Sequence, residues 1–282
     1  MLVDALAEAG HPRRAVLAVP AADLDDAVPD GIAAVCADGT VPGASERMQA
    51  FAAQGIPALG FAGAGDAAWP LRVAGDDALV ASQLRLAPSP WVLLALLLRP
   101  LQGAFGVASA SATVLRPASE RGAAALEMLG QQTAAILNFR DPPVGIYPQR
   151  IAFNTIPVPG SDEASSLVAA LWDGHGAAVQ VQAWDVPVFV GLSMTVAVTL
   201  EQPFAQADVV ALLGQLPGVV VHDGADDIPS PVTLMAAEGA MILHDIRVVG
   251  RQLQMAVVAD NLGIGAAQPA ARLLRRLVGH KF

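Results

Sequence analysis

Ser89 stands between Pro88 and Pro90, at the head of an unbroken apolar run from Trp91 to Leu98. Such a run is wet on almost no side and predicts a helix through the middle of a domain. A group at the start of that helix feels the positive end of its dipole, where a thiol would ionise readily and act as a nucleophile. A hydroxyl in the same place needs a base to activate it. No base stands beside Ser89, and no nucleophile-elbow glycines surround it. The residues favour Ser89 as the N-cap and Pro90 as the first helical residue, with Arg99-Pro100 ending the helix. A triad assembled through the fold around Ser89 is the alternative.

Other reactive side chains are few. His11, His175, His222, His244 and His280 are scattered without metal-ligand spacing, so no metal site is expected. A single cysteine, Cys36, excludes an internal disulfide and a cysteine-based zinc site, and fits a reducing, cytoplasmic location. A net charge of −10 with only 16 Lys and Arg argues against nucleic acid or an anionic membrane surface as partner. The first residues, MLVDALAEAG, lack the basic start of a secretory signal. The longest uncharged apolar run falls far short of the ~20 residues of a membrane span.

The elements that must position these side chains can be read from spacing. A chain of 282 residues with 54% hydrophobic content has ample core for two domains. Residues 2–9 have helical spacing and stop at Gly10-His11-Pro12. Ala15 to Val19 and Ile32 to Cys36 read as buried strands, Ser45 to Gln54 as a helix and Ile56 to Phe61 as a further strand. This alternation predicts a parallel sheet with helices on its faces. Gly60 to Gly75 reads as loop. Ala104 to Val114 reads as a strand, and Ser119 to Asn138 as an amphipathic helix capped by Ser119. Arg140 to Gly160 carries five of the 21 prolines, which predicts an extended crossing between domains or sheet edges. Val186 to Leu200 alternates without a break and predicts one long strand with a fully buried face, a candidate subunit interface. Beyond it follow a helix from Pro203 to Leu216, a strand from Val219 to His222, a hairpin about Gly250-Arg251 and a final helix from Ala266 to Val278.

Four stretches carry a family resemblance. RLAPSPWVLLALLLRPL, Arg85 to Leu101, resembles the segment of aspartate-semialdehyde dehydrogenases in which an Asn-Pro-Asn-Cys turn opens a long apolar helix ending in Lys-Pro-Leu. Pro148, Gln149, Ile151, Ala152, Phe153, Asn154, Ile156 and Pro157 match a second family motif. Val186-Pro187-Val188-Phe189-Val190-Gly191 with Ser193 is similar to the family's Arg-Val-Pro-Val-Phe-Val-Gly-His-Ser. Asp260-Asn261-Leu262 with Gly265-Ala266-Ala267 is similar to its Asp-Asn-Leu-Arg-Lys-Gly-Ala-Ala. The resemblance looks closest to the Usg-like paralogues, in which the catalytic cysteine is often missing.

What the resemblance implies is an α/β fold in two parts. A reduced Rossmann-type dinucleotide-binding domain would cover 1–88 with 262–282, its first strand and glycine-rich turn lost or lying upstream of a misplaced start codon. An α+β dimerisation domain of the semialdehyde dehydrogenase type would cover 89–261. By the same resemblance, Ser89, Thr113, Asp185 and Leu192 fall where the family has its cysteine, glutamine, substrate-binding arginine and acid–base histidine. All four are substituted. Asp185 would set repulsion against a substrate carboxylate where the family has attraction. Gly39, Asn261 and Gly265 would be the remnants of a cofactor site, with Gly263 and Ile264 replacing two basic residues; Gly39 reads equally as a plain turn glycine. The expectation is a catalytically inactive paralogue of an oxidoreductase family without a cofactor, acting as a homodimer or as partner of another protein. The alternative is a divergent NADP-dependent semialdehyde dehydrogenase of aspartate-family amino-acid biosynthesis.

Overall fold

The computed structural model describes residues 4, 31–61, 64–66, 68–72, 81–160, 165, 167–168, 177–222, 224, 228–234 and 240–279. Apart from Asp4, which is helical, the helix expected over 2–9 lies outside them, as do the strand from Ala15 to Val19 and His11, His175 and His280. The chain divides into two compact units, 1–92 with 265–282, and 93–264.

In the first unit, β1 (Val35–Asp38), β2 (Ala58–Phe61), β3 (Leu71–Arg72) and β4 (Gln83–Leu86) form a parallel sheet in the order β1-β2-β4-β3. Helix α1 (Ala44–Ala53) joins the first two strands and places Met48 and Ala52 in a cluster with Ala58 and Ala64. The expected Ile32–Cys36 strand thus lies two to three residues further on, and β3 falls inside the stretch read as loop.

Helix α2 (Ser89–Phe105) begins in the first unit and ends in the second. The Pro88 carbonyl accepts from the Val92 N–H at 3.2 Å, so Pro88 is the cap and Ser89 the first helical residue, one position inside the expectation. Nor does Pro100 end the helix. Leu97, Leu98 and Leu101 are fully buried around it, and this packing carries the helix past the one missing N–H.

The second unit holds a seven-stranded mixed sheet in the order β6-β7-β5-β8-β11-β10-β9. Its strands are β5 (Val107–Arg116), β6 (Ile156–Pro157), β7 (Ala178–Asp185), β8 (Leu192–Leu200), β9 (Val219–Val221), β10 (Met241–Val249) and β11 (Gln252–Ala259). Leu192, Met194, Val196, Val198 and Leu200 of β8 are all buried, each contributing about 1.5–3 kcal/mol. The alternation from Val186 to Val190 does not belong to that strand. β7 and β8 lie on opposite sides of β5, parallel and antiparallel to it. Residues 186–191 must therefore cross the end of β5, where the Val188 and Phe189 carbonyls accept from the Ala118 and Ser119 N–H groups. Pro187 has no N–H for a ladder, and Gly191 turns the chain at φ +93°.

Ser119 does not cap a helix. It lies in a 3₁₀ turn, Ala118–Arg121, after which Gly122 caps α3 (Ala123–Leu137). Gln132 of α3 anchors the proline-rich segment, accepting from the Ile151 and Ala152 N–H groups and donating to the Pro143 carbonyl. That segment then supplies β6, an edge strand on β7. Helix α4 (Gln206–Gly214) packs on β9 and β10, and a short helix, α5 (Pro231–Leu234), packs on β11. A π turn, Gly263–Ala267, leads into the last helix, α6 (Gln268–Gly279), which packs on β2 of the first unit. No helix among the described residues is long and apolar enough to cross a membrane.

Candidate functional site

Three strands of the second unit bring their ends together. Asp185, the last residue of β7, pairs in register with Arg116, the last of β5, and Leu115 pairs with Ser193. Asp185, Arg116 and Leu192 therefore stand at one level on three neighbouring strands. They also share a face, because residues two positions away (Val114, Ala183 and Met194) are all buried. Thr113 does not join them. It lies three residues back on the exposed face, between Gln182 and Thr195. The odd offset turns it to the other side of the sheet, so the β5 residue that meets Asp185 is Arg116.

Asp185 is 1% exposed and held by two guanidinium groups. Arg121, from the 3₁₀ turn, donates to its Oδ2 through Nε at 2.8 Å and Nη2 at 2.6 Å. Arg116 Nε lies 3.5 Å from Oδ1, and neither of these two buried atoms makes a hydrogen bond among the described residues. The Arg121 guanidinium also lies over the Tyr147 ring, 5.1 Å from its centroid. Burial, and then the nearby Asp185 charge, push the Tyr147 phenol above its ordinary value. Asp185 thus does not present a bare negative charge, as the sequence suggested. The group of two arginines and one carboxylate carries a net +1. Leu192 is 0% exposed and continues the apolar row of β8.

Behind this group Asn261 ties three segments. Its Oδ1 accepts from the Gly191 N–H at 3.1 Å, and its Nδ2 donates to Ser119 Oγ at 3.0 Å and to Glu120 Oε1 at 2.7 Å. The amide is committed inside the fold. In the first unit, Gly39 follows β1 in a turn whose N–H groups are also engaged: Gly39 donates to the Phe61 carbonyl, and Thr40 donates through N–H and hydroxyl to Asp38 Oδ1. Gly265 lies in the π turn before α6, and Ser89 is buried at the start of α2. No group of three metal-ligating side chains occurs among the described residues.

Arg116 and Arg121 are the members that sequence reasoning missed. Their partner is 64 or more positions away, and the only local signal was two arginines in a stretch poor in charge.

A mixed sheet with this order, joined to a parallel sheet of the Rossmann type, has known counterparts. The family model for the semialdehyde dehydrogenase dimerisation domain matches residues 98–264, and the chain belongs to that family. It is 30% identical over 195 residues to the aspartate-semialdehyde dehydrogenase of Legionella pneumophila, a match covering 62% of this chain and 55% of that protein. The USG-1 protein homolog of Azotobacter vinelandii is 26% identical over 215 residues, covering 70% of this chain and 62% of its own. The chain therefore spans little more than half the length of the curated relatives it matches. Aspartate semialdehyde dehydrogenase II of Vibrio cholerae, solved in complex with ASA, shares the fold with a TM-score of 0.75 at 23% identity, covering 87% of this chain and 79% of that one. A probable aspartate-semialdehyde dehydrogenase from Pseudomonas aeruginosa superposes with a TM-score of 0.73 at 22% identity, covering 88% and 80%.

Proposed function

We propose that this protein is a semialdehyde dehydrogenase-family member that does not turn over a semialdehyde, and that it acts as a homodimer or as the partner of another protein. The observation that carries this reading is Leu192. A fully buried aliphatic side chain in the position of the family's acid–base histidine can neither take nor return a proton. Asp185, in the position of the substrate arginine, is itself occupied by Arg121, and Ser89 offers a hydroxyl where the family has a thiol. For NADP, the residues at the end of β1 do not fit a phosphate: Asp38 supplies negative charge, and the Gly39 and Thr40 N–H groups are already engaged. We therefore hold NADP binding to be weak or absent.

Dimerisation is supported by the name of the matching family and by the outer face of the seven-stranded sheet. Thr113, Gln182, Thr195 and Gln254 are exposed there and uncharged, on a face that a second copy can cover. Such an interface should bury above ~1,000 Å².

The deciding experiment incubates the protein with NADP, phosphate and aspartate semialdehyde. No NADPH should form. Turnover would establish the competing reading, a divergent NADP-dependent semialdehyde dehydrogenase like the relatives it resembles. A folded monomer in sedimentation at micromolar concentration would remove the dimer.

A further inference from the structure

We propose that His222 and His244 form a binding site for a divalent transition metal at the β9 edge of the seven-stranded sheet. The inference goes beyond the reading above, because it rests on the register of β9, β10 and β11 and on none of the positions that turnover would need.

The two histidines have no ligand spacing along the chain, but the ladder sets them side by side. β9 and β10 run parallel, with Val219, Val220 and Val221 beside Met241, Ile242 and Leu243. The His222 N–H then donates to the Leu243 carbonyl at 2.8 Å, which carries the pairing one step further and places His222 opposite His244. Residues opposite one another on neighbouring strands send their side chains to the same face. With strands about 4.8 Å apart, two such imidazoles can both reach one ion at about 2.0–2.1 Å. Met241 and Leu243 are buried, so His244 alternates to the outer face of the sheet.

Nothing on that face competes for the rings. On its other side His244 pairs with Ala256, which offers only a methyl group. Beyond His244 the register shifts at a bulge, where Asp245 turns at φ +50° and its Oδ1 accepts from Arg247 Nε at 2.7 Å. Neither imidazole makes a hydrogen bond or ion pair among the described residues, and both side chains are half-buried. Two imidazoles without thiolate or carboxylate suit Cu²⁺, Ni²⁺ or Zn²⁺ and offer Mg²⁺ none of the oxygens it takes. They fall short of the four protein ligands of a structural zinc site, so water completes the shell and the ion exchanges. Bound there, it would fasten β9, an edge strand of three residues, to β10.

The test titrates the full-length protein with CuCl₂, NiCl₂, ZnCl₂ and MgCl₂ by calorimetry and compares its hydrogen exchange with and without Zn²⁺. Cu²⁺ should bind as one equivalent per chain, Ni²⁺ and Zn²⁺ more weakly, and Mg²⁺ not at all. His222→Gln and His244→Gln should each weaken binding by about tenfold or more, and His175→Gln should leave it unchanged. Zn²⁺ should slow exchange in peptides that carry β9 and β10 and leave those of β5 and β7 as they were. Binding that survives either substitution in the pair, saturation by Mg²⁺, or protection no greater at β9 than at β5 would overturn the assignment. Should a substitution fail to fold, the exchange of the wild-type protein still decides. NADPH formation plays no part in these readouts, so the site and the proposed inactivity can fail separately.

Discussion

Replacing Asp185 by Asn keeps the size of the side chain and removes the charge that two guanidinium groups share. Removing one member of a buried ion pair costs about 3–5 kcal/mol. Two features reduce that figure here. The Arg116 and Arg121 side chains are 18% and 32% exposed, so water recovers part of the orphaned charge, and the Asn oxygen can still accept one bond from Arg121. The expected loss is about 2–3 kcal/mol. It should divide unevenly. Arg121 makes two short charge-assisted bonds and Arg116 none, so a double-mutant cycle of Asp185→Asn with Arg121→Gln should give a coupling of about 1.5–3 kcal/mol. The cycle with Arg116→Gln should stay below about 1 kcal/mol. Because the chain has two units, the assay must be local: native-state hydrogen exchange of β5 and β7 amides in increasing urea. A coupling to Arg116 that exceeds the coupling to Arg121, or a total loss under about 1 kcal/mol, would refute the reasoning.

Tyr147 is the sole tyrosine, so the tyrosinate absorption band reports it alone. It should titrate above the ordinary value, and Asp185→Asn should bring it back down, since the Asp185 charge raises it. A phenol raised in the folded state stabilises fully below its unfolded pKa of about 10, and that contribution should be lost as pH climbs through the folded value. An unchanged tyrosinate titration in Asp185→Asn would contradict this. On the proposed reading, which sets Asp185 and Leu192 at the anchoring and proton-transfer positions, Ser89→Cys alone should give no phosphorylating dehydrogenase activity, since such groups are not additive. Burial and the Asp38 charge push the Cys36 thiol up to about 12, so alkylation near neutral pH reads the introduced thiol. Adding Asp185→Arg and Leu192→His should destabilise that protein, since it sets a third guanidinium between Arg116 and Arg121; NADPH formation by the single variant would contradict the first statement, and an unchanged unfolding midpoint of the triple variant the second. Gly191→Ala should cost about 1–3 kcal/mol in thermal unfolding, as its Cβ would lie 2.9 Å from Pro231 Cβ at a φ of +93°. A midpoint within error of wild type would count against that strain.

Local signals read well from the sequence where they were set by local physics. The period of two over Leu192 to Leu200 marks a strand with one buried face, and the apolar run after Pro90 marks a buried helix. Alternation failed at Val186 to Val190, because valines in a crossing segment mimic a strand while Pro187 and Gly191 break the ladder. The cap expected at Ser119 failed for a different reason: its hydroxyl has a partner 142 positions away. Thr113 failed because the register of β5 on β7 is set across more than sixty residues, and an offset of three residues reverses the face. The two arginines escaped notice for the same reason, since no spacing rule links them to Asp185.

The Asn261 tie also bears on how the domain folds. Its partners Gly191 and Ser119 lie 70 and 142 residues earlier, so the amide can close only after β5, β7 and β8 have aligned and β11 has joined them. Contacts of such long sequence separation are entropically slow to form. We expect the knot to close after the rate-limiting step, so that weakening it hastens unfolding and leaves the refolding rate nearly untouched. Stopped-flow measurements on Asn261→Ala that showed slower refolding instead would place the tie in the folding nucleus. On a ribosome the same feature makes the unit's last strand its clasp: a nascent chain that has not released β11 has every partner of Asn261 in hand and nothing to fasten them.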